Sequence, residues 1–518
     1  MSSPRRAQNT ALLLVVAVAV LLRIWFWHAT GMTLEDAYIT FRYVDNIADG
    51  HGFVYNQGEH VLGTTTPLWT LLLASIRSAG VLSFIPAARA IGIMCDCVSI
   101  VLMFLLLREI SPFAALIGTA LFATSPAVVP IAVSGMETSL LLAGMSVALL
   151  GLHRKNSLFA LGIGLTLLTR MDGIIFALSL FGTALVRERR WALRQGMLAL
   201  TLCLPWIVFA GAYFGSVLPQ SYLAKREVYH LAVSTSLGPF LRQFTPWREH
   251  HLVVGVLRGV GLLLLVLGCI RIVRKDRSLI AIGAYFFLYT VLFAVSGTII
   301  FGWYLVPAAF ASFYIMASGA QWCLDALHGM PRALRPGICV GIPLVLCATN
   351  VAAIAAGLDR SREVQEMELS LRREIGLWIH DHVPAGSQVF LEPIGYIGYF
   401  AGPGVMIRDE AGLVTPAVIP IRRHGDGWYA DALRVLNPDY VVQYAYSLEN
   451  NVTEGTGERL FRGGADRQWF GEQYREERAF DVSSSFPLVA TKEKKYLLMK
   501  RTGAATDTSP LPTPPRTP

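Results

Sequence analysis

Two adjacent carboxylates, Glu35 and Asp36, stand just beyond an apolar run that extends from Ala11 to Ala29. A positioned carboxylate can take a proton from a hydroxyl. An acid at the edge of a membrane segment is a functional candidate by default. A plainer reading competes with it, because acids in the first turn of a helix meet the positive end of the helix dipole. The residues that follow do read as a helix. Ala37, Phe41, Val44 and Ala48 keep a 3.6-residue period with Tyr38 beside them, and Glu35, Asp36, Arg42, Asp45 and Asn46 fill the other positions. The pattern predicts an amphipathic helix lying along the outer membrane surface, its polar face turned to whatever cavity the spans enclose. Successive helix residues point about 100° apart, so the two acids are not expected to face one atom.

The rest of the chain must position these acids. Its 518 residues are 54% hydrophobic and only 15% charged, with mean hydropathy +0.49. A soluble chain would carry about 25% charged residues. Apolar runs near the roughly 20 residues that cross a bilayer recur along the chain. Eleven spans are expected, at 10–28, 86–107, 113–131, 136–152, 157–169, 173–187, 195–214, 252–273, 278–297, 299–318 and 336–357. The first is a retained helix, because Trp25, Phe26, Trp27 and His28 follow it where a cleaved signal would have small residues. The run 67–76 is too short to span and is assigned to a first outer loop of about 29–85. That assignment puts the basic clusters near Arg5, Arg154, Arg189 and Arg274 on one side, as the positive-inside pattern requires. The same placement argues against nucleic acid as the partner of the net charge of +8, since no soluble basic face is implied. The seven cysteines show neither a disulfide framework nor zinc spacing, and Cys95-Asp96-Cys97 reads as helix packing.

The expected fold class is therefore a polytopic α-helical membrane protein with a C-terminal extracytoplasmic α/β domain. Residues 1–358 form the membrane part, and 359–502 form the domain. The Pro/Thr-rich end, 503–518, is expected to be disordered. Residues 361–382 read as an amphipathic helix, and 387–391 and 439–443 read as short strands. Asn451-Val-Thr is a glycosylation sequon by pattern only.

The first loop, LEDAYITFRYVDNIADGHGFVYNQGEHVLGTTTPLW, resembles the first outer loop of the GT-C superfamily of membrane glycosyltransferases. Within it the resemblance is nearest to the group of the mycobacterial-type terminal arabinosyltransferase. Concordant pieces follow in order: Ser134-Gly-Met-Glu-Thr138, Thr169-Arg-Met-Asp-Gly173, Leu218-Pro-Gln-Ser-Tyr-Leu-Ala-Lys225, Trp303-Tyr304, Ile394 to Phe400 and Asp409 to Leu413. The chain departs from the group in carrying Glu-Asp for the commoner Asp-Asp, Thr64-Thr-Thr66 for a Tyr-Ser/Thr-Asn run, and Gln220 for Asn.

The resemblance implies transfer of a sugar from a polyprenyl-phosphate donor to a cell-envelope glycan or glycolipid, on the extracytoplasmic face of a bacterial plasma membrane. It gives the acidic pair the role of general base. Asp36 is the expected base, and Glu35 is expected to orient the site, bind acceptor or help hold a metal. An inverting transfer needs one base and no carboxylate nucleophile. The leaving phosphate needs cations, and Arg42, Arg170 and Lys225 are the candidates. Glu137, His51, Asp172, Trp303 and Tyr304 are candidate substrate contacts, with Glu392, Tyr396 and Asp409 from the outer domain. A divalent cation is an open expectation; Glu35, Asp36 and Glu137 would be its ligands, and no ligand cluster in the sequence establishes it. Two other readings remain open: a lipid or solute transporter or flippase, and a glycan-binding scaffold without catalysis. A transporter predicts charge near span centres and an internal repeat.

Overall fold

The structure is a computed structural model that describes residues 3–80, 83–228, 238, 252–297, 299–327, 335–453 and 456–502. The expected disordered end at 503–518 lies outside them. Ten of the eleven expected spans each fall on one helix, and the span expected at 113–131 is broken at residues 125–127 into two helices. In chain order the helices are α1 (Ser3–Thr30), α2 (Glu35–Ala48) and α3 (Pro67–Ala79) in the first loop, α4 (Phe84–Leu107), α5 (Pro112–Thr124), the short α6 (Val128–Ala132), α7 (Thr138–Arg154), α8 (Leu158–Thr169), α9 (Gly173–Arg187), α10 (Arg189–Phe214), α11 (Gln220–Val228), α12 (Leu252–Arg274), α13 (Ile280–Ala294), α14 (Gly302–Ala326) and α15 (Arg335–Ala356). Among the described residues six helical runs are long and apolar enough to cross a membrane by length and composition. The chain is an integral membrane protein.

Small residues bring the helices close. A side chain at Gly151 or Gly162 would strike the backbone of the partner helix, which fixes the tight α7–α8 hairpin. One charged contact lies inside the helices, within runs read from the sequence as apolar. Arg23 and Asp96 are both fully buried, and Arg23 Nε donates to Asp96 Oδ2 at 2.7 Å. Arg23 Nη1 also donates to Ala123 O at 2.9 Å, so the pair ties α1, α4 and α5 together. Asp96 in Cys95-Asp96-Cys97 is thus more than packing.

The first loop also differs from expectation. At 13 residues α3 is about 20 Å long, short of the roughly 30 Å hydrocarbon thickness. It lies against α2, with Arg77 Nε 3.0 Å from Asp45 Oδ1. The helix α2 is not a surface helix. Arg42, Asp45 and Asn46 are buried, and Asn46 Nδ2 donates to Val54 O at 2.8 Å. Its polar face meets its own loop and the C-terminal domain, because those elements cover it from above.

That domain starts as a continuation of the membrane. The helical run Pro343–His382 is 40 residues long. It passes through α16 (Leu358–Met367), a π-helical turn at Glu368–Arg372, and α17 (Arg373–His382). Beyond it the strands β1 (Gln388–Leu391), β2 (Met406–Asp409), β3 (Tyr440–Tyr444), β4 (Tyr474–Asp481) and β5 (Lys495–Arg501) form a five-stranded sheet in the order β2-β1-β3-β5-β4. The strand β1 runs parallel to β2 and β3, with Leu391 level with Asp409 and Val442. The carboxyl ends of these three strands therefore share one edge, where Glu392, Asp409, Glu410 and Gln443 stand. The short helix α18 (Tyr396–Phe400) follows β1 and packs on α2, with the Tyr38 and Tyr396 rings 4.1 Å apart. In the sequon, the Asn451 amide is bonded on both sides to the Phe461 backbone, at 2.8 and 2.9 Å.

Candidate active site

The two acids that open α2 point to different partners. Glu35 accepts hydrogen bonds from the backbone N–H groups of Gly395 and Tyr396, the latter at 2.7 Å. Only glycine permits this approach, since a Cβ at Gly395 would overlap the Glu35 carboxyl. Burial and the nearby Glu368 push the Glu35 carboxyl well above the usual range. Glu35 thus fastens the C-terminal domain to the first loop. Asp36 is half-buried and makes no hydrogen bond among the described residues. Burial pushes its carboxyl up, while Lys225 and Arg170 pull it down. The pair divides as the 100° spacing of helix residues requires.

Opposite Asp36 the structure gathers residues from five separate stretches. Arg170 is buried at the α8–α9 turn and grips Asp172 through two hydrogen bonds of 2.9 Å. Its Nη1 lies 3.2 Å from Glu137 Oε1 at the start of α7. Gly135, at φ +88°, makes the turn that delivers Glu137. The Arg170 guanidinium lies 5.0 Å from the centroid of the Tyr304 ring. Lys225 on α11 reaches the same ring, with Nζ 3.3 Å from the Tyr304 hydroxyl. Trp303 stacks on Phe301 at 4.7 Å between centroids. Tyr289 is a member that sequence reasoning missed. Its hydroxyl lies 3.0 Å from both Asp172 Oδ2 and Tyr304 O. A tyrosine inside an apolar run gives no signal of such a role. The arrangement is an uncommitted carboxylate facing two cations that are braced by carboxylates and an aromatic ring. It can accept a proton on one side and stabilise a developing anion on the other.

The remaining predicted residues lie elsewhere. Arg42 is buried, and its guanidinium donates to Tyr55 O at 2.9 Å, to Val405 O at 3.0 Å and to Gly398 O. These contacts join the loop to the C-terminal domain. His51 is exposed in the turn after α2. The Asp409 carboxylate closes its own loop by accepting from Leu413 N and Val414 N. The Tyr396 hydroxyl donates to Thr33 O at 3.2 Å, on the domain interface. Glu392 differs from these four. Its Oε2 is buried without a hydrogen bond, and burial together with Asp409, Glu410, Glu35 and Asp36 pushes its carboxyl well above the usual range. The three acids named for a metal do not converge, since Glu35 meets backbone N–H groups and Glu137 meets Arg170. Among the described residues no three His, Cys, Asp or Glu side chains could hold a metal ion together.

A largely apolar cavity of about 480 Å³ lies between α8, α9 and α10. At one end it is lined by Thr64, Thr65, Met171 and Pro219, neighbours in sequence of the site residues.

Two solved structures align with nearly the whole chain. ArnT from Cupriavidus metallidurans, bound to undecaprenyl phosphate, has TM-score 0.55 at 14% identity, covering 95% of this chain and 98% of that one. The Archaeoglobus fulgidus oligosaccharyltransferase in complex with Zn and sulfate has TM-score 0.56 at 14% identity, covering 92% and 72%. The chain has their fold. The same oligosaccharyltransferase tethered with an acceptor peptide aligns at TM-score 0.56 and 13% identity, covering 85% of this chain and 69% of that one. No curated protein matches the chain in sequence. Residues 356–499 match a family described as a domain of unknown function, DUF8728. Within the shared fold, that stretch supplies the backbone groups that hold Glu35.

Proposed function

We propose that this chain is a membrane glycosyltransferase that moves a sugar from a polyprenyl-phosphate donor to a cell-envelope glycan or glycolipid acceptor, with inversion at the anomeric carbon. The observation that carries the reading is Asp36, half-buried and without a hydrogen bond among the described residues, in the field of Arg170 and Lys225. The acceptor hydroxyl attacks the anomeric carbon and its oxygen forms the new bond. The bond from that carbon to the phosphate oxygen breaks, and the phosphate leaves with the electron pair. Asp36 takes the hydroxyl proton. Arg170 and Lys225 stabilise the negative charge of the leaving polyprenyl phosphate. The apolar cavity between α8, α9 and α10 suits an isoprenoid tail, and the fold is one in which ArnT holds undecaprenyl phosphate. The first-loop resemblance favours a pentosyl donor of the arabinosyl kind.

The test is Asp36→Asn, which keeps size and removes the base. With a synthetic lipid-linked donor, transfer is expected to fall by roughly 10²–10⁴-fold, with thermal melting in detergent nearly unchanged. Glu35→Gln is expected to be milder in rate and to lower the melting temperature, because it loosens a bond between domains. A folded Asp36→Asn protein with near wild-type turnover would return Asp36 to the helix-dipole role. Equal, complete loss in both variants would overturn the division between base and fastener.

A further inference from the structure

The helices that carry Glu137 and Asp172 at one end carry basic side chains at the other. The 17 residues of α7 and the 15 of α9 put these ends about 25 and 22 Å apart. That distance covers most of the roughly 30 Å thickness of a bilayer core. At the far ends lies a second cavity, of about 90 Å³. His153, Lys155, Arg187, Glu188, Trp191 and Ser278 form its rim. Its floor is apolar, from Leu106, Leu149 and Leu279, and includes Tyr314, a fully buried residue whose hydroxyl has no hydrogen-bond partner. The rim charges are held by weak ties. Lys155 meets Glu188 on the exposed surface, where an ion pair contributes little. Arg187 is exposed and donates to the backbone carbonyl of Arg277.

We infer that this cavity is a headgroup site for an anionic phospholipid of the membrane face opposite Asp36. A phosphate bearing one negative charge suits Lys155 and Arg187, which outnumber Glu188. The cavity admits a small headgroup only, and the exposed apolar residues Val186 and Leu193 beside the rim leave room for acyl chains on the lipid-facing surface. Basic pockets between helices on such a face attract anionic lipid through surface electrostatics. A zwitterionic headgroup brings its own ammonium beside Lys155 and Arg187 and so loses the net attraction that an anionic one keeps.

The site is tested with the full-length protein in mild detergent, adding phosphatidylglycerol, phosphatidylcholine or inorganic phosphate and reading thermal melting and bound lipid by native mass spectrometry. Phosphatidylglycerol alone is expected to raise the melting temperature and to be retained. The double variant Lys155→Gln/Arg187→Gln is expected to weaken that binding roughly tenfold or more. Ser278→Trp, which fills the rim without changing charge, is expected to do the same, whereas Arg189→Gln, a nearby charge outside the cavity, is expected to leave binding intact. An equal effect of phosphatidylcholine would overturn the inference, and so would stabilisation by inorganic phosphate alone. Unchanged phosphatidylglycerol binding in both cavity variants would overturn it as well.

Discussion

At the residue scale, the chemistry rests on which charges are already committed. Arg170 is buried between Asp172 and Glu137, so neutralising it leaves two carboxylates without their cation. Breaking such a pair costs about 3–5 kcal/mol, and Arg170→Gln would confound folding with donor binding. Lys225 is the cleaner probe. Lys225→Gln is expected to leave melting nearly unchanged and to lower turnover of a polyprenyl-phosphate donor by roughly 10²–10³-fold, the size of losing one group that stabilises a developing anion. Donor kinetics equal to wild type would remove Lys225 from the phosphate role. Much of this was legible in sequence. Glu137, Arg170, Asp172, Lys225, Trp303 and Tyr304 were all singled out, and the structure brings them together. Arg42, His51, Tyr396 and Asp409 were singled out on equal terms and lie elsewhere. Composition cannot separate them, because whether a charged side chain meets a ligand or a backbone carbonyl is decided by residues hundreds of positions away. For Arg42 these are Gly398 and Val405.

At the element scale, two buried acids make the packing testable. Asp96 holds Arg23 inside the helices, and Asp96→Ala leaves a buried cation without its partner. Melting in detergent is expected to drop by the equivalent of about 3–5 kcal/mol, and the double variant Arg23→Leu/Asp96→Leu is expected to recover most of it. Equal losses in single and double variants would show that the pair does not act as a unit. In the C-terminal domain, burial raises the Glu410 carboxyl to about 8, although Gln443 donates to it at 2.6 Å. A folded-state pKa above the unfolded one means that the folded state binds the proton more tightly. Its stabilising contribution is therefore full below the ordinary carboxylate range and is lost as pH rises through about 8. The wild-type melting temperature is expected to decline between pH 5 and 9 on this account, and Glu410→Gln to flatten the decline; parallel curves would acquit Glu410. The sequence placed β1 and β3 within a residue but gave no hint of the Arg23–Asp96 contact. A hydropathy pattern registers where apolar runs lie, not how two rare charges separated by 73 positions face each other.

At the scale of the whole molecule, the arrangement of basic clusters predicts that reporter fusions at residues 60 and 380 report one face and fusions at 154, 190 and 275 the other. A fusion at residue 80 that reports with the second group would show that α3 crosses and that the count of eleven fails. The membrane part was legible because burial in lipid leaves a long one-dimensional signature. The C-terminal domain was less so, since its strands are short and its contacts lie on the first loop. One of its features reaches further. The 40-residue helical run Pro343–His382 enters the domain from the last span, and Glu35, Arg42 and Tyr55 clamp the domain from the other side. Tied at two walls, the domain is braced against tilting, and loosening the Glu35 tie alone leaves it anchored through the helix of the last span.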